Sequence, residues 1–523
     1  MADTGFWDLA EREPDRAALV EPDGTRWTAG ELYAGANRVV HGLRALGLKP
    51  GDAVATVLAN EAAMVELALA TAQAGFYLTP INRNLTPAEI GYIAADCDAK
   101  ALVFGPQAHE AVSRAARDLK LERGAIFSTG ATGATGSPTA FRPFADLKAG
   151  QSAARPPERR AGLVMNYTSG TTGRPKGVRR MLPPPEVSPD VIAQRYAMFL
   201  KLFGIAPREG VHLTVSPLYH TAVLSFCLNH LHNGDAVVLM EKWTPEGMLA
   251  AVERERVTSS HMVPTHFNRL LALPDDVKRK YDLSSLRHVI HSAAPCPVEI
   301  KRRMLAWWGP IIYEYYAASE GGGTVASPEE WLKKPGTVGK AWPMSEIRIL
   351  DDAGQPCRPN DVGTVYMRMA DYRFEYHKDR DKTKGAWKDG LFTVGDAGFL
   401  DEDGFLFLCD RKADLIISGG VNIYPAEIEG VIINHPKVRD VAVFGVPDDD
   451  WGEQVKAVVE LEAGIRPSAE VESELRDFCL AELAKHKRPR TIDFVEELPR
   501  DPSGKLYKRK LRDPYWVGRD RLI

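Results

Sequence analysis

From Tyr167 to Val178 the chain reads Tyr-Thr-Ser-Gly-Thr-Thr-Gly-Arg-Pro-Lys-Gly-Val, with four Ser or Thr residues and three glycines around one lysine. Few structural needs besides holding a polyphosphate explain that composition. Gly170, Gly173 and Gly177 let backbone N–H groups approach an anion, Thr168, Ser169, Thr171 and Thr172 add hydroxyl donors, and Lys176 adds a mobile positive charge. The common nucleoside-triphosphatase loop has a lysine and a Ser or Thr directly after its second glycine, and this run does not. A flexible linker would not carry an Arg-Pro-Lys-Gly ending bordered by the apolar Leu163-Val164-Met165 and Val178. The run is expected to be the phosphate loop of a different nucleotide fold.

At 523 residues the chain exceeds one core, since single cores stop growing near ~250–300 residues, so at least two domains are expected. The 66 basic and 70 acidic residues nearly balance at a net charge of -4, which disfavours nucleic acid or an anionic membrane and points to small-molecule partners. Cys97, Cys227, Cys296, Cys357, Cys409 and Cys479 form no CxxC pair, against both a disulfide framework and a zinc site and in keeping with a reducing cytoplasm. The start, Met1-Ala-Asp-Thr-Gly-Phe-Trp-Asp-Leu-Ala, has no basic n-region, and no segment reaches the ~18–20 apolar residues of a membrane span. A soluble, cytoplasmic protein without an integral membrane segment is expected.

The first part alternates helical patterns, 29–46 and 62–74, with short apolar strands, 53–58 and 101–104, and reads as α/β. Residues 129–160 turn to Gly, Ser, Thr, Ala and Pro and read as a loop between subdomains. Strands then recur near 211–215, 236–240, 259–263, 287–291 and 311–315, separated by helix-length segments, which predicts a second mostly parallel sheet. From about 336 to 410 short strands between Gly, Asp and Pro turns predict a small β-rich subdomain. Beyond that come a strand, a helix from Pro425, strands near 441–446 and 455–461, a charged helix over 470–484 and a final strand, together a compact α+β unit.

Tyr313-Glu-Tyr-Tyr-Ala-Ala-Ser-Glu320, followed by Gly321-Gly-Gly323, falls where a strand should end, and ligands of open α/β sheets bind beyond strand ends. Tyr316 suits the face of an adenine, and Glu320 suits a magnesium ion bridging phosphate oxygens; in isolation the segment also reads as an ordinary strand end. Together with the phosphate run, this segment resembles the acyl-adenylate-forming superfamily, which contains acyl-CoA synthetases, carrier-protein adenylation domains and luciferases. The resemblance runs in order from about Trp27 to Lys505.

That resemblance implies an α/β N-terminal AMP-binding domain over 1–410, built of subdomains 1–160, 161–335 and 336–410, and a mobile α+β C-terminal lid domain over 411–523. It implies that Ala293, Ala294 and Pro295, in Ser292-Ala-Ala-Pro295, line the adenine opposite Tyr316, and that Ser319 lies near the α-phosphate. Asp396, in Phe392-Thr-Val-Gly-Asp396, would accept from both ribose hydroxyls, and Arg411, in Asp410-Arg-Lys-Ala-Asp-Leu-Ile416, would contact the ribose just before a pivot at Ala413. Lys505, in Pro499-Arg-Asp-Pro-Ser-Gly-Lys505, would stabilise charge developing at the α-phosphorus; its neighbours Lys508, Arg509 and Lys510 read as a solvated basic tail. Gly419 and Gly420 would flank the CoA tunnel with Trp451, and His220, in Pro217-Leu-Tyr-His220, resembles a gate beside the reacting carboxylate, though a lone histidine is also a common structural residue. His230 and His232 read as packing or surface residues without acidic or cysteine neighbours at metal-ligand spacing.

The implied reaction is that of an acyl-CoA ligase: ATP, with Mg²⁺, and a carboxylic acid give acyl-AMP, whose acyl group passes to CoA as the lid turns. Small or apolar residues at Ala222, Val223, Leu224, Ala293, Ala294 and 321–323 predict a roomy pocket for a fatty, aromatic or polycyclic acid. No acidic residue follows Tyr219-His220, against amino-acid activation, and the end at Ile523 predicts no fused carrier domain. Four positions depart from the family pattern: Ala317 for Gly, Ser319 for Thr, Val394 for Thr or Ser, and Ala413 for a polar pivot. They support an alternative, thioester formation from a preformed acyl-AMP supplied by a separate adenylating enzyme, against which the phosphate run and Lys505 stand. A luciferase-like oxidase, a non-catalytic nucleotide-binding protein and a homodimeric assembly stay open.

Overall fold

The structure, a computed structural model, describes residues 4–117, 119, 121, 123–130, 141–168, 175–369, 372–411, 414–419, 421–500 and 506–517. The chain divides into two compact units, one of residues 1–261, 273–290 and 371–385, the other of 262–272, 291–370 and 386–523.

In the first unit the strand Ala53–Val57 is buried throughout, and its alternate side chains feed two cores. Val54 joins the cluster containing Leu32, Val39, Val65 and Leu69, from helices Ala29–Ala45 and Ala62–Ala74. Ala55 and Val57 join Ile90 and Ile93 of helix Pro87–Asp96. The strand therefore belongs to a parallel sheet covered on both faces, in the order Arg142–Pro143, Ile126–Ser128, Ala99–Phe104, Ala53–Val57, Tyr77–Pro80 and Leu163–Val164. Local signals fix the helix starts: Thr28 with Glu31, and Thr86 with Glu89, form reciprocal capping boxes. Residues 129–160, expected as a loop, hold the edge strand Arg142–Pro143 and the short helix Phe144–Lys148, whose Phe144 and Leu147 reach the core.

A nine-stranded sheet includes, in order, His288–His291, Ser259–Met262, Val211–Thr214, Ala236–Leu239, Ala17–Val20 and Arg26–Thr28. Pairing is parallel from Ser259–Met262 through Ala17–Val20 and antiparallel at the edge, as the alternation of strands and helices requires.

The second unit is richer in antiparallel pairs. Strand Ile312–Ala317 turns back at once as Gly323–Ala326, a reversal the sequence reading did not anticipate. A six-stranded sheet includes Ser345–Leu350, Gly363–Met369, Asp396–Leu400 and Leu406–Arg411. Within 336–410, however, Phe374–Tyr376 pairs with Lys176–Arg180 of the first unit, to which residues 371–385 belong. Near the C-terminus Val438–Asp448 and Gly452–Leu461 form a long hairpin, joined by Thr491–Val495 and Ile416–Ser418 and covered by helices Pro425–Ile432 and Ala469–Glu482 over a core that includes Ile428, Val443, Val459 and Leu475. Among the described residues no helix is long and apolar enough to cross a membrane.

Candidate active site

The run from Tyr167 to Val178 spans a hairpin. Strand Asn166–Thr168 pairs antiparallel with Lys176–Arg180, with Tyr167 opposite Gly177 and Thr168 opposite Lys176, so Thr168 and Lys176 meet at the base of the intervening segment. Ser169, Gly170, Thr171, Thr172 and Gly173 lie outside the described residues. Tyr167 donates its hydroxyl to Asp96 Oδ2 at 2.6 Å, and burial, followed by that bond, raises its pKa, so it stays a protonated donor. A Cβ on Gly177 would lie 2.9 Å from the Tyr167 ring. The Tyr167 ring is thus one reason for a glycine at this position. Lys176 Nζ stands 2.8 Å from Asp379 Oδ2, and this bond raises the lysine pKa and lowers that of Asp379.

In the second unit Tyr316, half-buried near the end of strand Ile312–Ala317, donates its hydroxyl to Asp396 Oδ2 at 2.5 Å. Asp396 is 8% exposed and opens strand Asp396–Leu400, directly opposite Arg411 at the end of Leu406–Arg411. The fold thus gathers Tyr316, Asp396 and the backbone of Arg411, three residues the sequence assigned separately to adenine and ribose. Ser319, half-buried, and Glu320, 7% exposed, sit in the turn that follows the strand.

Ala293, Ala294 and Pro295 follow strand His288–His291, and Ala293 holds φ at +73°, where a Cβ costs about 1–2 kcal/mol. Backbone strain of this kind persists where the surroundings impose it. Ala293→Gly is expected to raise stability by roughly 0.5–1 kcal/mol, the relief exceeding the added chain entropy, while AMP affinity falls as the turn loosens. Thermal melting and AMP titration read both, and a lower melting temperature contradicts the strain.

His220 occupies the N-cap position of helix Thr221–Asn233, beyond the carboxyl end of strand Val211–Thr214, with its ring 4.2 Å from that of Tyr219. The loop leading to it is pinned by Asn60, which accepts from Leu218 N at 2.8 Å and donates to Ser216 O and Met240 O at 3.0 and 2.8 Å. Nothing in the sequence marked Asn60, because its partners are more than a hundred positions away. Val223 and Leu224, expected to line a pocket, instead pack in the core with Leu218 and Leu228; Ala222 stays half-buried. His230 is fully buried, a packing residue whose Nδ1 lies 2.8 Å from Asp235 Oδ2. Among the described residues no cluster of three or more His, Cys, Asp or Glu is arranged to hold a metal.

Of the expected lid residues, Ala413, Gly420 and Lys505 lie outside the described residues. Among the described residues flanking Lys505, Arg500 bridges Leu506, and Tyr507 N donates to Pro499 O at 2.8 Å. The basic tail is not simply solvated: Lys508 Nζ pairs with Glu429 Oε1 at 2.8 Å, Arg509 with Asp513 at 3.1 Å and Arg512 with Asp414 at 3.0 Å. Gly419 and Trp451 meet. Gly419 N donates to Trp451 O at 2.7 Å, and a Cβ on Gly419 would lie 2.4 Å from the indole, which stays 49% exposed with the Arg490 guanidinium 5.5 Å from its ring.

The sequence profile of the AMP-binding enzyme family matches residues 6–372, and that of the AMP-binding enzyme C-terminal domain matches 427–505. Feruloyl-CoA synthase of an Amycolatopsis species is 33% identical over 516 residues, covering 97% of this chain and 98% of the relative. Long-chain-fatty-acid–CoA ligase FadD13 of Mycobacterium tuberculosis is 31% identical over 520 residues, covering 97% and 98%. The crystal structure of ATP-bound MatB from Rhodopseudomonas palustris matches with a TM-score of 0.82 and 30% identity over 98% of this chain and 99% of that one. The chain belongs to the AMP-binding enzyme family, as an acid–thiol ligase of the acyl-CoA synthetase kind within the acyl-adenylate-forming superfamily.

Proposed function

We propose that the protein activates a bulky hydrophobic carboxylic acid with ATP and transfers the acyl group to CoA, its C-terminal domain turning between the two half-reactions. The hydrogen bond between Tyr316 and Asp396 carries this reading, because residues 80 positions apart come together in the arrangement a nucleoside needs: an aromatic ring beside a carboxylate. The Lys176 ammonium at the base of its hairpin supplies positive charge for the phosphates. In the first half-reaction a substrate carboxylate oxygen attacks the α-phosphorus and pyrophosphate leaves. In the second, the CoA thiol attacks the acyl carbon, loses its proton, and AMP leaves with the bonding electrons. No side chain becomes covalently attached, so the chain contributes positioning and charge.

Lys505 neutralises the carboxylate and α-phosphate as they approach each other, and His220 stands at the carboxylate. Gly419, whose bare backbone accommodates the Trp451 indole, and Trp451 itself form the surface for CoA. A magnesium ion fits this donor set: Glu320 would hold it, and magnesium characteristically takes one or two protein carboxylates with the substrate's phosphates and water. When bound it would neutralise charge on the departing pyrophosphate. The range of acids named for the relatives, from ferulate to long-chain fatty acids, supports a hydrophobic substrate.

Product formation followed by mass spectrometry tests the reading with two mixtures over a panel of aromatic and fatty acids. Acyl-CoA from acid, ATP, Mg²⁺ and CoA establishes the full ligase; acyl-CoA only from preformed acyl-AMP and CoA would restrict the protein to thioester formation; neither would exclude the reading. Asp396→Asn is expected to lower kcat/KM for ATP about tenfold to a hundredfold, the worth of a charged hydrogen bond. An unchanged value would remove Asp396 from the ribose site.

A further inference from the structure

Asp379 is absent from the residues that the sequence marked, yet both its carboxylate oxygens are committed. Oδ1 accepts from Lys382 N at 3.1 Å at the start of helix Arg380–Ala386, and Oδ2 lies 2.8 Å from Lys176 Nζ. The backbone carbonyl of Asp379 accepts from the Thr383 hydroxyl at 2.7 Å and from Thr383 N at 3.1 Å. Its segment is also fastened to the hairpin: His377 N donates to Gly177 O at 2.8 Å, and Phe374–Tyr376 pairs along Lys176–Arg180. One oxygen fixed by the helix start leaves the other aimed at the lysine, so the pair is built by the fold and is not a chance surface contact.

We propose that Asp379 is a positioning residue, the resting counter-ion of Lys176, which the β- and γ-phosphates of ATP displace on binding and which recaptures the lysine as pyrophosphate leaves. The inference rests on Lys176 facing those phosphates, as proposed above. Its physical basis is competition. A single carboxylate holds an ammonium that a polyphosphate, carrying several negative charges, attracts more strongly, and a carboxylate so close also repels the incoming anion. Once pyrophosphate has gone, thioester formation offers no β- or γ-phosphate, and Asp379 keeps the lysine from being left without a counter-charge. Both side chains are about a quarter exposed, so the exchange is modest in energy and readily reversible.

Asp379→Asn separates this role from a structural one, because asparagine also caps a helix but carries no charge. By calorimetric titration of the full chain, the Kd values for ATP and for pyrophosphate, each with Mg²⁺, are expected to fall about two- to fivefold, the range of a partly exposed ion pair. AMP has neither phosphate and is the reference ligand, with a smaller shift. Asp379→Ser, a second capping residue, repeats the test should the asparagine variant fold poorly. Unchanged or raised Kd values for ATP and pyrophosphate, or an equal shift for AMP, would overturn the exchange. Lys176→Ala separates the phosphate contact from the exchange: an unchanged Kd for ATP removes the phosphate assignment itself, whereas a raised one beside an unresponsive Asp379→Asn removes only the exchange.

Discussion

Lys301→Met is expected to destabilise the second unit by about 3–5 kcal/mol, the cost of leaving a buried charge without its partner. Lys301, on helix Val298–Trp308, is 0% exposed, and its Nζ lies 2.8 Å from Glu314 Oε2 and 4.6 Å from the ring centre of Trp331. His291 Nε2 is 3.3 Å from the same Glu314 oxygen. Burial by itself raises the Glu314 pKa, but Lys301 and then His291 outweigh it and hold the carboxyl down to about 2. Methionine replaces most of the lysine stem, so the loss falls on charge and not on volume. The double variant Lys301→Met with Glu314→Gln leaves no orphan ion and is expected to recover most of the loss. Glu314 and Tyr316 share a face of strand Ile312–Ala317, so the single variant should also weaken AMP binding. Scanning calorimetry and AMP titration read both effects. A loss under about 1 kcal/mol, or a double variant no more stable than the single, would mean the triad does not carry this strand.

This triad also marks where the sequence stopped being legible. Helix 62–74 and the strands at 53–58 and 211–215 were readable to within a residue or two because periodicity and flanking glycines are local signals. The motifs carrying Tyr316 and Asp396 were readable because each is a contiguous chemical pattern. The bond between them was not legible, because the two motifs point separately to adenine and ribose. Asn60, Asp379 and Lys301 carry no such pattern: each acts on residues brought near by the fold, and isolated Asn, Asp and Lys are ordinary surface residues. The same limit explains Lys508. Among Lys508, Arg509 and Lys510 nothing local distinguishes the one that Glu429 holds in a mostly buried pair. Val223 and Leu224 failed for the opposite reason: apolar residues beside a suspected site satisfy core and pocket equally well, and only packing decides.

Acid is expected to weaken the first unit well above the pH at which carboxylates protonate, through histidines buried as neutral rings. Burial lowers the His232 pKa to about 3, with the nearby Arg159 charge adding to it. Its Nδ1 accepts from Phe6 N at 3.3 Å, and its ring lies 5.1 Å from Trp7 and 6.0 Å from Tyr196, so protonation would remove an acceptor and place a cation among aromatic rings. His212, stacked 4.1 Å from His230 and bonded to Ser259 Oγ at 3.0 Å, is lowered well below its ordinary value by burial, then by His230 and His261. His288, lowered to about 4 by burial and then by Arg287, acts in the same direction. An unfolded histidine protonates near pH 6.5 while His232 stays neutral to about 3, so the unfolded chain binds more protons across that window and stability falls as pH falls. Each unit is worth about 1.4 kcal/mol, so His232 alone withdraws about 3 kcal/mol between pH 6.5 and 4. Glu66, whose carboxyl burial raises despite Lys148, takes up its proton earlier in the folded state and opposes this trend. The decisive comparison is therefore of slopes. Urea unfolding of the wild type and of His232→Gln, which keeps an acceptor for Phe6 but cannot titrate, should show the variant flatter by about 1.4 kcal/mol per pH unit between pH 6 and 4. Parallel slopes would show that His232 is not held neutral by its surroundings, and would move the origin of any acid sensitivity to His212 and His288.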